Sequence, residues 1–300
     1  MPVRLGISPI GWSNDDLPEL GGDIPLDRCL AEAGAAGYGG IELGHKFPRD
    51  PTILKPLLDR FGLALISGWF SGRLLERSVR AEIAAIEPHS SLLVATGCTI
   101  LVYAETSGSI AGDRRRPLSG RPRLGAGDWH DFGVRLTELA DHLSARGIGL
   151  VYHHHMGTVI ESEAEIDHLM AVTGDKVGLL LDTGHAGYAG VDPAALARRY
   201  GARIRHVHCK DVRHEVLARV RAVDTSFLDA VLAGVFTVPG DGCVDFAGVL
   251  EELGAAGYDG WLVVEAEQDP VKAPPVAYAR LGFAQLRAAA ARAGLAREER

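Results

Sequence analysis

Cysteine is scarce and scattered. The four cysteines, Cys29, Cys98, Cys209 and Cys243, form no CxxC pair, so neither a disulfide framework nor a zinc knuckle is indicated. No run approaches the roughly 18 apolar residues of a membrane helix, and the opening MPVRLGISPIGW has no apolar signal core. These absences predict a reduced, soluble, cytoplasmic protein with no membrane partner. Basic charge is also short, with 31 Lys and Arg against 39 Asp and Glu for a net −8. That balance gives no support to a nucleic-acid partner, which needs a concentrated basic surface. The one basic cluster, Arg114, Arg115 and Arg116 with Arg121 and Arg123, sits in a Gly/Pro/Ser-rich stretch. It reads as a solvated loop or, alternatively, as a lid or substrate element. Nucleotide-cofactor and serine-hydrolase signatures are missing too: no GxGxxG follows a strand, and neither a P-loop nor GxSxG occurs.

What is present is an ordinary globular mix, 47% hydrophobic and 23% charged, which excludes disorder. The 300 residues allow one large domain or two small ones. Short apolar runs recur at 4–10, 39–44, 63–70, 99–105, 149–155, 177–185, 203–211 and 261–267. Most are apolar at consecutive positions, as expected of parallel strands covered on both sides. Amphipathic helical stretches separate them at 26–36, 51–61, 78–96, 128–146, 162–173, 192–200 and 245–256, with a last one at 274–295. This alternation predicts an α/β fold, a (β/α)₈ TIM barrel, as one domain over residues 1–300. An internal echo agrees: GAAGYGGIEL (34–43) and GAAGYDGWLV (254–263) both read as a helix stop leading into a strand. Two connections, 106–127 and 212–244, are long. Both leave C-terminal strand ends, the face that carries active sites in such barrels.

Polar residues gather at those strand ends. The fifth strand ends in His153-His154-His155, the sixth in Asp182-Thr183-Gly184-His185, the seventh reads His206-Val207-His208-Cys209-Lys210-Asp211, and the last ends Glu265-Ala266-Glu267. Alternation places Asp182, then His208 with Lys210, then Glu265 with Glu267 on single faces. If those faces point inward, Asp182, His208 and Glu265 converge at the barrel mouth. Carboxylate and imidazole donors without thiolate suit an open divalent site better than a closed structural zinc. Cys209 alternates to the other face and reads as a buried thiol. Trp12 and Trp69, both at strand ends, are pocket or packing residues.

LDTGH (181–185), HVHCKD (206–211), GDGCVDF (240–246) and VVEAEQDP (263–270) resemble the xylose isomerase-like barrels of the sugar isomerase, epimerase and endonuclease-IV superfamily. Within it, GISPIGWSNDDLPELGG (6–22), GSIAGDRRRPLSGRPRL (108–124) and YHHHMGTVIES (152–162) are similar to the myo-inosose-2 dehydratases of inositol catabolism. The resemblance runs from about residue 4 to 270. It implies a divalent metal, Mn²⁺ or Co²⁺, held by Asp182, His208 and Glu265. Where the superfamily carries a fourth, glutamate ligand on strand five, this chain has His153. The fourth ligand is therefore His153, or Glu161 a little further on, or water.

The implied reaction is dehydration of 2-keto-myo-inositol (scyllo-inosose) to a trihydroxycyclohexane-1,2-dione, a carbon–oxygen lyase step. The alternative is a sugar-ketone isomerase or epimerase on the same scaffold. Dehydration needs an α-proton removed, an enolate stabilised and a hydroxide protonated. His153 or His155 is expected to move protons and Lys210 to stabilise enolate oxygen. Trp12, Glu42, Glu105, His185 and Glu267 are expected to contact a cyclitol or sugar-ketone substrate. Participation of a small thiol and assembly as a homo-oligomer stay open at this stage.

Overall fold

Strands that are apolar on both faces need partners along both edges and helices over one surface. The chain meets this by closing the sheet on itself. The computed structural model describes residues 3–295. Its strands are β1 (Arg4–Ile7), β2 (Gly40–Leu43), β3 (Ala64–Gly72), β4 (Ile100–Glu105), β5 (Gly149–His153), β6 (Val177–Asp182), β7 (Ile204–Cys209), β8 (Asp211–Val212), β9 (Phe236–Thr237) and β10 (Trp261–Val264). Eight of them form a closed barrel in the order β1-β10-β7-β6-β5-β4-β3-β2, while β8 and β9 make a small antiparallel ribbon. The barrel pairings are all parallel.

The helices are α1 (Leu26–Ala36), α2 (Pro51–Asp59), α3 (Val79–Thr96), α4 (Asp128–Ala145), α5 (Glu163–Val172), α6 (Thr183–Ala189), α7 (Pro193–Tyr200), α8 (His214–Ala222), α9 (Phe227–Leu232), α10 (Phe246–Ala255) and α11 (Pro275–Arg292), all but α6, α8 and α9 falling where amphipathic spacing places them. The repeated GAAGY segments close α1 and α10 alike, with Tyr38 N–H donating to Ala33 and Tyr258 N–H to Leu253. No helix among the described residues is long and apolar enough to cross a membrane.

Two regions differ from expectation. The strand read as 177–185 stops at Asp182, whose Oδ1 accepts the His185 N–H at 2.8 Å and starts α6 at once. A carboxylate at an N-cap satisfies an otherwise orphaned amide, so the chain turns sharply at the barrel rim. The stretch 212–244, read as one long connection, contains the ribbon together with α8 and α9. Val216, Leu217 and Val220 of α8 join Phe227, Val231 and Phe236 in a second apolar cluster.

That cluster also takes in Leu118 from the 106–127 loop and Leu17 from the loop after β1. Arg114 pairs with Asp229, Ser119 bonds to Asp224, and Leu118 N–H donates to Thr225. The segment is pinned down as a roof through Leu118 and Arg121, while Arg114, Arg115, Arg116 and Arg123 stay exposed, as the solvated-loop reading expects. Arg121, only 7% exposed, is its deepest anchor, donating to both Glu165 oxygens at 2.8 and 2.9 Å.

Candidate active site

Inside the barrel, Val102, Val151 and Leu180 form a small apolar plug. A polar layer stands beside it: Glu42 Oε1 accepts from Ser67 Oγ at 2.5 Å and faces His206 Nε2 and His208 Nε2, each at 3.0 Å. Burial alone would raise the Glu42 pKa, but the two imidazoles hold it well below the usual carboxylate range. A cavity of about 200 Å³ opens at the C-terminal strand ends, lined by His153, His155, His208, Glu42, Glu265 and Glu267 among others.

β5, β6, β7 and β10 deliver one tight cluster. Asp182 Oδ2 lies 3.2 Å from His153 Nε2 and 3.4 Å from His208 Nδ1, and Glu265 Oε2 is 2.7 Å from His208 Nδ1. His208 Nδ1, Glu265 Oε2 and His153 Nδ1 are nonetheless buried without a hydrogen-bond partner. Buried polar atoms left unbonded cost free energy unless something else satisfies them. Burial holds His153 well below its ordinary pKa, so it stands neutral, the form a metal requires. Burial opposes protonation of His208 as well, but Glu42 and Glu265 overcome it and raise its pKa well above normal.

Three groups of side chains have cation-binding spacing: His153 with Asp182 and His208, Glu42 with His206 and His208, and His155 with His185 and Glu267. Existing partners decide among them. In the second group Glu42 Oε1 is already engaged by a hydroxyl and two imidazoles. In the third, Lys210 Nζ occupies the space, 2.8 Å from Glu267 and 3.1 Å from His185. The first group, with Glu265 beside it, is left with the orphaned donors. The residues present therefore fit a divalent ion at His153, Asp182, His208 and Glu265.

The other expected site residues are spread more widely. His155 lines the cavity with Nδ1 turned to Met156 O at 2.8 Å. Lys210 and His185 are buried in contact with each other behind the cavity surface. Trp12 is turned away: its indole donates to Glu32 at 2.7 Å, and the residue does not line this cavity. Glu105 is likewise removed, because its oxygens accept from Leu74 N–H, Ser107 N–H and the Tyr103 hydroxyl. Glu161 is not brought to the cluster either; it accepts from Gly157 N–H and pairs with Arg121. Trp69 does reach the cavity, edge-on to His153 and His155. Asp15 and Asp16 also line it. They lie in the GISPIGWSNDDLPELGG motif (6–22), but nothing in their loop's spacing singled them out as site residues.

His154, next along β5, faces away from this cluster and is fully buried, with burial pushing its pKa down to about 4. An unfolded histidine titrates near 6.5, so the unfolded chain gains a proton that the folded chain refuses. Stability from this residue is present above pH 6.5 and drains away toward pH 4, by about 3 kcal/mol. His154→Gln, whose amide can still face Asp182 N–H, is expected to flatten the acid limb by that amount. Urea unfolding at pH 7 and pH 4.5 checks this; parallel limbs in both proteins would contradict it.

The family model of the xylose isomerase-like TIM barrel matches residues 30–289. The chain belongs to this family. Within it, the chain is 54% identical over 294 residues to a rhizopine catabolism protein, MocC, of Rhizobium meliloti, covering 98% of this chain and 90% of that one. It is 48% identical over 279 residues to the inosose dehydratase of Geobacillus thermodenitrificans, covering 92% and 94%. Among solved structures, a xylose isomerase domain protein of Alicyclobacillus acidocaldarius superposes with a TM-score of 0.69 at 18% identity, over 97% of this chain and 99% of that one.

Proposed function

We propose that this chain is a metal-dependent inosose dehydratase, a hydro-lyase that converts 2-keto-myo-inositol (scyllo-inosose) to trihydroxycyclohexane-1,2-dione and water. The observation that carries the reading is the cluster of His153, Asp182, His208 and Glu265 at the cavity of a chain 48% identical to an inosose dehydratase. Mixed oxygen and nitrogen donors suit Mn²⁺ or Co²⁺, and the cytoplasm is the compartment we assign. When bound, such an ion supplies Lewis-acid stabilisation of negative charge on a substrate oxygen.

The chain's own residues supply the rest. His155 donates Nδ1–H to Met156 O, which leaves the Nε2 lone pair to accept the α-proton, and Glu267 presents a carboxylate to ring hydroxyls at the cavity. Lys210 acts by holding the carboxylates of Asp182, Glu265 and Glu267 in place, at 3.5, 3.3 and 2.8 Å. Glu42 holds His208 through Nε2, so that Nδ1 faces Asp182 and Glu265.

Metal-loaded protein incubated with scyllo-inosose is expected to generate the dione, followed by ultraviolet absorbance. An epimerised ketose seen by NMR without any absorbance rise would replace this reading with the epimerase one. The MocC relative favours a second substrate reading, in which the cavity takes a compound of rhizopine catabolism. Turnover with such a compound and none with scyllo-inosose would decide for it. Glu42→Gln tests the support of His208. Loss of a carboxylate behind a ligating imidazole typically weakens metal binding about 10–100-fold. Competition with a chelator measures it, and an unchanged affinity would remove Glu42 from that role.

A further inference from the structure

The cavity has an acidic wall that none of these roles uses. Asp15 and Asp16 line it from the loop that follows β1. That loop is held from several directions. The buried Asn14 accepts from Asp16 N–H and Leu17 N–H at 2.8 and 2.9 Å, and its own N–H donates to Leu20 O. Gly21 closes the loop at φ 72°, where a Cβ would lie 1.8 Å from the Trp12 carbonyl oxygen, so only glycine fits. Lys46 Nζ then ties down the carbonyls of Gly21, Gly22 and Ile24. The two acids differ in what they can still do. Asp15 is paired with His45 at 2.5 Å. The Asp16 carboxyl makes no hydrogen bond or ion pair among the described residues, although its backbone is fixed.

We propose that Asp16 is the general acid that protonates the departing hydroxyl of the substrate, an inference that rests on the dehydratase reading above. A base in the site removes the proton from the carbon next to the ketone, and that C–H electron pair forms the enolate. The enolate then collapses: its electrons form the new carbon–carbon double bond while the β C–O bond breaks, its pair leaving with oxygen. The Asp16 proton goes to that oxygen, giving water and an Asp16 carboxylate. The resulting enol tautomerises to the dione, and Asp16 is reprotonated from solvent, to which the base returns its proton. Hydroxide is a poor leaving group without such a donor.

Neighbouring polar groups have other roles: His208 and Glu265 belong to the proposed metal cluster, His155 faces the substrate with Nδ1 held by Met156 O, and Lys210 is sealed among carboxylates behind the cavity surface. Asp16 is exposed at the cavity mouth, and partial desolvation there, with Glu267, Asp15 and Glu265 adding to it and Lys210 opposing, pushes its pKa up to about 6. A fraction of the acid therefore keeps its proton near neutral pH.

The test compares wild type, Asp16→Asn and Asp16→Glu, each metal-loaded, with scyllo-inosose in D₂O by NMR. Asp16→Asn is expected to form dione at least about 10²-fold more slowly while still exchanging the α-proton for deuterium and holding stoichiometric metal. Asp16→Glu is expected to restore dehydration in part and to move the alkaline limb of the kcat profile, which falls as the acid loses its proton. Dehydration by Asp16→Asn within threefold of wild type overturns the proposal. So does a parallel loss of exchange and dehydration, or an Asp16→Glu profile with an unmoved limb. The Glu variant decides the matter if the Asn variant fails to fold. Wild-type protein that neither exchanges nor dehydrates sinks the dehydratase reading itself and this proposal with it.

Discussion

Asp182→Asn is expected to lose its metal and at least about 10³-fold in kcat/KM. The carboxylate ends β6 completely buried, and its two oxygens have different duties. Oδ1 accepts the His185 N–H and starts α6, while Oδ2 faces His153, His208 and Lys210. Burial would raise its pKa, but Lys210 and the surrounding histidines hold it well below normal, so it is ionised at neutral pH. Asparagine keeps the shape and one acceptor oxygen but puts an amide donor where the anionic donor stood. The Lewis acidity such a site supplies is worth several kcal/mol, and about 4 kcal/mol corresponds to a factor near 10³. Elemental analysis after gel filtration, paired with the dione assay, measures both effects. Stoichiometric metal with near-normal turnover would place the ion elsewhere.

Lys210→Met is expected to destabilise the barrel by about 3–5 kcal/mol, the usual consequence of removing one partner from a buried charge network. The ammonium is fully buried among Asp182, Glu265 and Glu267 and sits 4.7 Å over the Phe236 ring. Gly184 makes room for its stem, since a Cβ there would lie 2.4 Å from Lys210 Cγ. Methionine fills the volume but leaves three carboxylates facing one another. Burial would lower the lysine's pKa, yet the carboxylates raise it above its unfolded value. Its contribution is therefore complete below the unfolded pKa near 10.4 and is lost only as pH climbs through the folded value. The stability gap between wild type and variant should be constant from pH 7 to 9 and narrow above about pH 10.4. Urea unfolding of metal-free protein across that range reads it. A gap under about 1 kcal/mol would mean the network is dispensable to the fold.

The barrel was legible because strand and helix leave different periods in the chain. Runs such as VGLLLD (177–182) and IRHVHC (204–209) became strands within a few residues of the expected ends. The alternation that put Asp182, His208 and Glu265 on inward faces is the pleat itself, so their meeting followed from register, with Asp182 beside His208 and His208 beside Val263. What escaped was decided by contacts rather than by period. α6 was hidden because its cap is a strand's last residue, and α8 and α9 because their apolar faces pack on a roof instead of on the barrel. Glu105 and Trp12 have the side chains of a sugar site but spend them on Leu74, Ser107 and Glu32. A lone sequence does not show which partner claims a polar group first. Asp16 is the converse case, a residue inside the GISPIGWSNDDLPELGG motif, in a loop without periodicity, whose carboxyl no side chain or amide claims among the described residues.

The imidazole that β5 brings to the cluster changes its charge arithmetic. A glutamate at position 153 would give the donor set three negative charges, and the set with a divalent ion would carry a net negative charge. With His153 and a ligating His208 both neutral, the two carboxylates Asp182 and Glu265 would balance a divalent ion in the proposed site. Lys210 offsets Glu267 immediately behind them. An enolate must accumulate a full negative charge beside this assembly before hydroxide departs. Removing one like charge at about 4 Å is worth about 4 kcal/mol at the effective dielectric of a protein surface. The histidine at the end of the fifth strand would spare the proposed site one negative charge beside the anion that the proposed reaction passes through.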